Sequence, residues 1–265
     1  MLMRAWVTLL VLLVSVGPVW AASAKQDVLK LALETPLTDL PKLPVDGPIT
    51  PPPEPAEAAE LLRQGREAAE LTNGSIDVAA ALTYFRKAAS KGSFEATAEY
   101  AYLLRTGGAP PEQKANSITI TRYLAAHGHQ GAAAAMGMLG FMGRLGPEDG
   151  ATASKYWFNI ARRAGNADAI KTNNNVLTSL RSRGDLPPGV GDGDRVETAF
   201  AFTGITTTAD GAAAVEKTMS TLFKSGWTQV GVSSLTAQDK TFARHLLADD
   251  KGREIAVFFD TTGWR

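Results

Sequence analysis

The sequence predicts a mainly α protein, an α/α solenoid of helical hairpins over residues 56–183, followed by a small α+β domain of β-α-β-β-β order over 196–265. Two observations carry that expectation. A helical unit with fixed landmark residues recurs three times at a nearly constant period. After about residue 195, helical spacing gives way to short alternating runs bounded by glycine and aspartate.

The chain opens with Arg4, an apolar run "AWVTLLVLLVSV" and the small-residue stretch "GPVWAASA". This is the order of a secretory signal, so residues 1–24 read as a signal peptide removed on export; the alternative is an uncleaved N-terminal anchor. The apolar run falls short of the roughly 20 residues that a permanent spanning helix needs. There is no cysteine, which excludes a cysteine-linked lipid and a disulfide framework. Such an exported chain suits a bacterial periplasm, and periplasmic is the expected address. Cleavage removes one of the 27 basic residues and none of the 27 acidic ones. That near balance argues against nucleic acid or an anionic membrane as a partner.

Residues 25–55 carry Pro36, Pro41, Pro44, Pro48, Pro51, Pro52, Pro53 and Pro55. Proline fixes φ and lacks the backbone donor, so this segment is expected to be an extended, disordered linker or, alternatively, a proline-rich ligand. From Ala56 the pattern becomes helical, with "AEAAELLRQGREAAEL" as a leading helix. The first full unit starts at Tyr84, which places Ala88 and Ala89 fifth and sixth, Gly92 ninth and Ala96 thirteenth. Leu124, Ala125, Gly128 and Ala132 take the same places in the second unit; Ala161, Gly165 and Ala169 follow in the third. The glycines stand 36 and 37 residues apart. A left-handed glycine ends the first helix of each hairpin, and the small thirteenth residue lets two helices approach. Tyr84, Phe85, Trp157 and Phe158 are expected to fill the space between hairpins, while the polar "KTNNN" suits a terminal capping unit.

"SRGDLPPGVGDGDR" then breaks the helical pattern, with residues 184–195 read as a linker. "RVETAFAFTGI" alternates as a strand with Phe200 and Phe202 on one face. "ADGAAAVEKTMSTLFKSG" is helical, with Val215, Met219, Leu222 and Phe223 on one stripe and Gly226 as its stop. "WTQVGVSSL", "KTFARHLLAD" and "REIAVFFDTT" read as three strands, the last two joined as a hairpin through "DKG".

The unit "DVAAALTYFRKAASKGSFEA" resembles the Sel-one-like repeat, a relative of the tetratricopeptide repeat, through Asp77, Ala81, Tyr84, Phe85, Lys87, Ala88, Ala89, Gly92 and Ala96. Units two and three depart from it, with Ile120 and Thr121 in place of the aromatic pair and Arg162 in place of an alanine. The resemblance implies a right-handed solenoid and a scaffolding or regulatory role in bacterial envelope complexes. The terminal seventy residues resemble no family.

Chemistry-bearing patterns are sparse. The three histidines show no metalloprotease spacing, and no nucleophile elbow or phosphate loop occurs. His127 and His129 flank Gly128 and suit a metal or, more simply, an exposed turn. Asp192 and Asp194 suggest a calcium loop but lack its closing glutamate, so a solvated linker is expected. Asp249, Asp250 and Lys251 read as turn residues. "GMLGFMG" reads as close helix packing, with a methionine-lined groove around Met138 and Phe141 as the functional alternative. No cofactor or metal is expected.

The expected function is a non-enzymatic periplasmic adaptor or regulator that binds a protein or peptide on the helical surface, since repeat arrays offer extended concave faces. Candidate contact residues are Tyr84, Tyr100, Tyr102, Arg105, Arg122, Met138 and Phe141, because aromatic side chains and arginine dominate interfaces; Tyr84 and Tyr100 double as candidate core residues. One alternative is a peptidoglycan or polysaccharide binder using Trp227 and Trp264, and another is an envelope hydrolase using His245, Asp249 or Asp260.

Overall fold

The structure, a computed structural model, describes residues 26–70, 76–107, 109–145, 153–223 and 226–265. The signal peptide expected at 1–24 lies outside the described residues. Helices dominate: α1 (Val28–Glu34), α2 (Ala56–Ala69), α3 (Val78–Ala89), α4 (Phe94–Thr106), α5 (Pro111–Ala126), α6 (Gln130–Phe141), α7 (Ala153–Arg163) and α8 (Ala167–Ser182). From α2 onward each packs on the next along the chain. This succession requires short turns and small residues at the crossings, and the landmark positions supply both.

Gly92, Gly128 and Gly165 have φ of +93°, +81° and +92°. The following amide then reaches back into the last turn of the preceding helix: Ser93 to Ala88 O (3.2 Å), His129 to Leu124 O (3.0 Å), Asn166 to Ala161 O (2.9 Å). The same residue starts the next helix. Ser93 Oγ, His129 Nδ1 and Asn166 Oδ1 accept from the amides of Ala96, Ala132 and Ala169 at 2.9, 3.1 and 2.8 Å. Those alanines are buried, as the spacing predicts. Phe85, Trp157 and Phe158 are buried and Tyr84 is half-buried. The glycines of "GMLGFMG" serve close packing. A Cβ at Gly137 would stand 2.8 Å from the Phe158 ring on α7, and one at Gly140 would meet the Ser154 backbone at 3.3 Å.

The expectation of a disordered linker at 25–55 is corrected over the described residues. Asp27 caps α1 by accepting from the Lys30 amide at 3.0 Å, and Val28, Leu29 and Ala32 are buried as α1 packs on α5. The chain continues as an extended strap. The Ile49 amide donates to Arg163 O at 3.0 Å, and the Arg163 guanidinium donates to the carbonyls of Gly47 (2.8 Å) and Asp46 (3.0 Å). Prolines favour this outcome, because they restrict the unfolded chain and lower the entropy lost on docking.

The 184–195 linker is corrected as well. Leu186 is buried, Gly189–Val190 (β1) pairs with Ala201–Phe202 (β2), and both aspartates of "GDGD" are buried. Asp194 forms ion pairs with Lys155, and with Arg162 at 3.1 Å, both on α7. Asp192 Oδ1 accepts from the Thr198 hydroxyl (2.5 Å) and the Asp194 amide (3.0 Å). Burial alone would raise the Asp192 carboxyl, yet the Lys155 charge, these hydrogen bonds and the Arg162 charge hold it below its ordinary value. Helix breakers ended the helix, and burying paired charge bound the segment to α7.

Helix α9 (Thr208–Leu222) precedes a three-stranded antiparallel sheet, β3 (Trp227–Ala237), β4 (Lys240–Asp249) and β5 (Glu254–Asp260), ordered β3-β4-β5. Pairing within "RVETAFAFTGI" is shorter than expected: a 3-10 turn at Val196–Thr198, then β2. Phe200 forms a parallel bridge to Phe259, and the rings of Phe200 and Phe202 both lie on Phe259, at 5.5 and 6.0 Å. One apolar cluster runs from Val28 through Trp157 to Phe259, so helices and sheet share a core.

Candidate functional site

Register determines what each face of the sheet presents. Gln229 stands opposite Leu247, Val232 opposite His245 and Ser234 opposite Ala243. Directly paired residues share a face, so Ala243, His245 and Leu247 lie together with Gln229 on the α9 side. One helix about 10 Å across cannot cover three strands spaced about 4.8 Å apart together with the Phe200 bridge. Buried Val215 and Leu222 of α9 join Ile255, Val257 and Phe259 of β5 in the common core. Toward β3 a cleft of about 540 Å³ stays open, within the range of ordinary ligand sites.

Its walls are Met219 of α9 and Phe223 just past the end of that helix, with Trp227 and Trp264, and its floor is Ala243, His245 and Leu247. Trp264 is set near the start of α9: a Cβ on Gly211 would come within 2.6 Å of its indole, and the ring stacks with Phe202 at 6.5 Å. Trp227 meets Phe223 edge-on at 5.6 Å near the helix end. His245 Nδ1 is 2.6 Å from Gln229 Oε1, and the ring stands edge-on to Phe259 at 5.1 Å. Burial holds the His245 imidazole below its ordinary pKa, so it is neutral at pH 7. With Nδ1–H donating to Gln229, Nε2 is left as an acceptor. Apolar walls with a few convergent polar groups suit recognition of an amphipathic ligand.

The hydrolase candidates do not meet. Asp260 pairs with Phe242 on the opposite face from His245, where its carboxylate takes Lys240 at 2.8 Å. Asp249 accepts from Arg253 Nε at 2.5 Å and from the amides of Lys251 and Arg253. By contrast Trp227 and Trp264, separated by 37 residues, line one cleft.

The candidate contact residues of the helical region do not form one groove. Tyr102 is 52% exposed, and the half-buried Arg105 lies over its ring at 5.7 Å, so only the tyrosine is open to a partner. Tyr84 carries Lys87 over its ring at 5.9 Å, and Tyr100 packs half-buried into the core. Arg122 is corrected to the interior: it is 5% exposed and lines a crevice with Tyr156, Trp157 and Arg253 beneath the strap. Met138 packs against the core, and Phe141 is partly exposed at the end of α6.

The histidine pair is also corrected from an exposed turn. His129 caps α6 and sets Nε2 at 2.9 Å from Glu95, while His127 Nδ1 is 2.7 Å from Tyr123 O. Among the described residues no group of three or more histidine, aspartate or glutamate side chains is arranged to hold a metal, and no helix is long and apolar enough to cross a membrane. The sequence reading missed Gln229, which bears no motif, and put Met219 and Phe223 on the apolar stripe of the helix; the deficit of one helix over this sheet is the signal that sets part of that stripe beside an open cleft. No family model, curated protein or solved structure matches this chain.

Proposed function

We propose that this chain is a non-enzymatic binding protein of the bacterial periplasm, an adaptor or regulator that holds a protein or peptide partner. The observation that carries the reading is the open cleft between α9 and the sheet, with Trp227, Trp264, Phe223 and Met219 around a neutral His245. Large aromatic side chains beside a few polar groups are the usual anchors of a binding surface. In this reading the three hairpins are units of a right-handed solenoid of Sel-one-like type. Their common glycine and cap geometry supports that assignment, and Tyr102, exposed on α4, offers a second contact. Residues 1–24 act as the export signal.

Photocrosslinking amino acids placed at Ser220 beside the cleft and at Tyr102 on α4 test the proposal in living cells. A dominant envelope protein captured from Ser220 is the expected outcome. Capture from Tyr102 alone moves the contact to the helical array, and capture from neither overturns the adaptor reading. A second reading, a peptidoglycan or polysaccharide binder, draws on the convergence of Trp227 and Trp264, since indole faces stack on sugar rings. Retention of the purified protein on peptidoglycan, lost in Trp264→Ala, would favour it.

A further inference from the structure

Strand β3 is an edge. It pairs with β4 on one side, and among the described residues no strand pairs with its other side. The hairpin between them turns on Gln238 and Asp239, with φ of 52° and 59°. A two-residue turn of this kind makes Ala237 and Lys240 a hydrogen-bonded pair, so the next pair, Thr236 and Thr241, is not bonded to each other. The bonds of Thr241 agree: its amide donates to Thr262 Oγ1 and its carbonyl accepts from the Thr261 amide, both away from β3. By alternation, Thr236, Ser234 and Val232 aim their N–H and C=O groups outward.

Proteins ordinarily protect such an edge with lysine, proline or a covering element. From Trp227 to Ala237 this strand has no charged residue and no proline. Val232 is 56% exposed, opposite His245 and on the cleft side of the sheet. A bulge between Gln229 and Gly231 interrupts the ladder, leaving residues 231–237 regular, about 24 Å of strand. That uncharged sequence is compatible with itself, because antiparallel pairing of two copies sets no like charges opposite each other.

We propose that β3 pairs with β3 of a second copy of this chain about a two-fold axis, joining two three-stranded sheets into one six-stranded sheet. The axis stands perpendicular to the sheet, so both copies of α9 lie on the same face, with the two clefts side by side across the seam. The proposal goes beyond the binding function and does not depend on what the cleft holds.

Sedimentation velocity of the purified protein over about 1–100 µM tests it, since a reversible dimer follows mass action. A rise to twice the monomer mass is expected, abolished in Val232→Lys/Ser234→Lys and kept in the α4 surface control Thr106→Lys. Hydrogen exchange needs no substitution: the amides of Val232, Ser234 and Thr236 should exchange roughly tenfold more slowly at the concentrated end than at the dilute end. A monomer throughout, or a dimer that ignores the edge lysines and leaves those amides fast, overturns the proposal. A monomer in which the lysine variant instead loses a crosslinked envelope partner also overturns it and assigns the edge to a foreign strand.

Discussion

At the scale of single residues, the most consequential group is Asp194, whose carboxylate is 1% exposed between Lys155 and Arg162. A buried ion pair contributes modestly when intact, but removing one partner strands the other. Asp194→Asn leaves two cations facing a neutral amide, with Lys155 only 2% exposed. The expected loss is about 3–5 kcal/mol of unfolding free energy, read from urea denaturation. Arg162→Ala should cost less, because Asp194 keeps Lys155 and Arg162 is the more exposed cation. The neighbouring Asp192 sets a pH dependence. Its folded pKa lies below the ordinary value of 3.8, so its stabilisation is complete above that value and fades as pH falls through the folded one. Thermal melts between pH 6 and pH 2 should show a steeper acid decline for the wild type than for Asp192→Asn, which has no such group to titrate.

Among the elements, the helix junctions allow a sharper test, because three glycines share a backbone conformation and differ in surroundings. A Cβ at Gly165 meets nothing within 4 Å, whereas one at Gly128 would strike Ile49 Cγ2 at 2.5 Å. Gly165→Ala should therefore cost only the left-handed strain, about 1–2 kcal/mol. Gly128→Ala should cost measurably more, because it also displaces the strap; equal losses in paired denaturation curves would mean that the strap does not dock there. The glycine positions were legible in the sequence because a φ near +80° to +93° leaves a strong residue preference at a fixed spacing. Strands β3, β4 and β5 were legible from their apolar and β-branched runs. Helix α1 and the strap after it were not, since α1 has only seven residues and no lasting period, and their docking depends on α5 and on Arg163 of α7 rather than on local sequence. "GDGDR" was misread for a related reason. Aspartate and glycine in a loop look solvated until the cations that receive them, 32 and 39 residues away, are brought alongside. The cleft was half legible, its tryptophans being conspicuous and its polar pair, His245 and Gln229, emerging only from strand register.

For the whole molecule, the contact between helices and sheet decides whether the chain behaves as one unit or two. Arg253, in the β4–β5 hairpin, lies over Tyr156 (5.4 Å), Trp157 (5.6 Å) and Trp227 (6.0 Å), bringing rings from α7 and β3 around one guanidinium. Below it the Asp249 carboxylate, 2% exposed, balances the charge. Cation–π contacts sheltered from water contribute more than exposed ones, about 2 kcal/mol where desolvation is strong. This joint, the Asp194 cluster and the strap, whose Asp46 accepts from Arg244 of β4 at 2.9 Å, all cross between the helical units and the sheet. Far-UV circular dichroism, which reports the helices, and tryptophan fluorescence, to which Trp157, Trp227 and Trp264 contribute, should therefore give coincident unfolding curves. Arg253→Met keeps much of the side-chain volume but removes the cation from the three rings and leaves Asp249 without its ion partner. That variant should unfold earlier, with the fluorescence change preceding the loss of helix as the joint opens before the hairpins melt. Two separated transitions in the wild type would mean that helices and sheet fold as independent domains despite their common core. Coincidence in the wild type and separation in the variant would instead locate their coupling at Arg253.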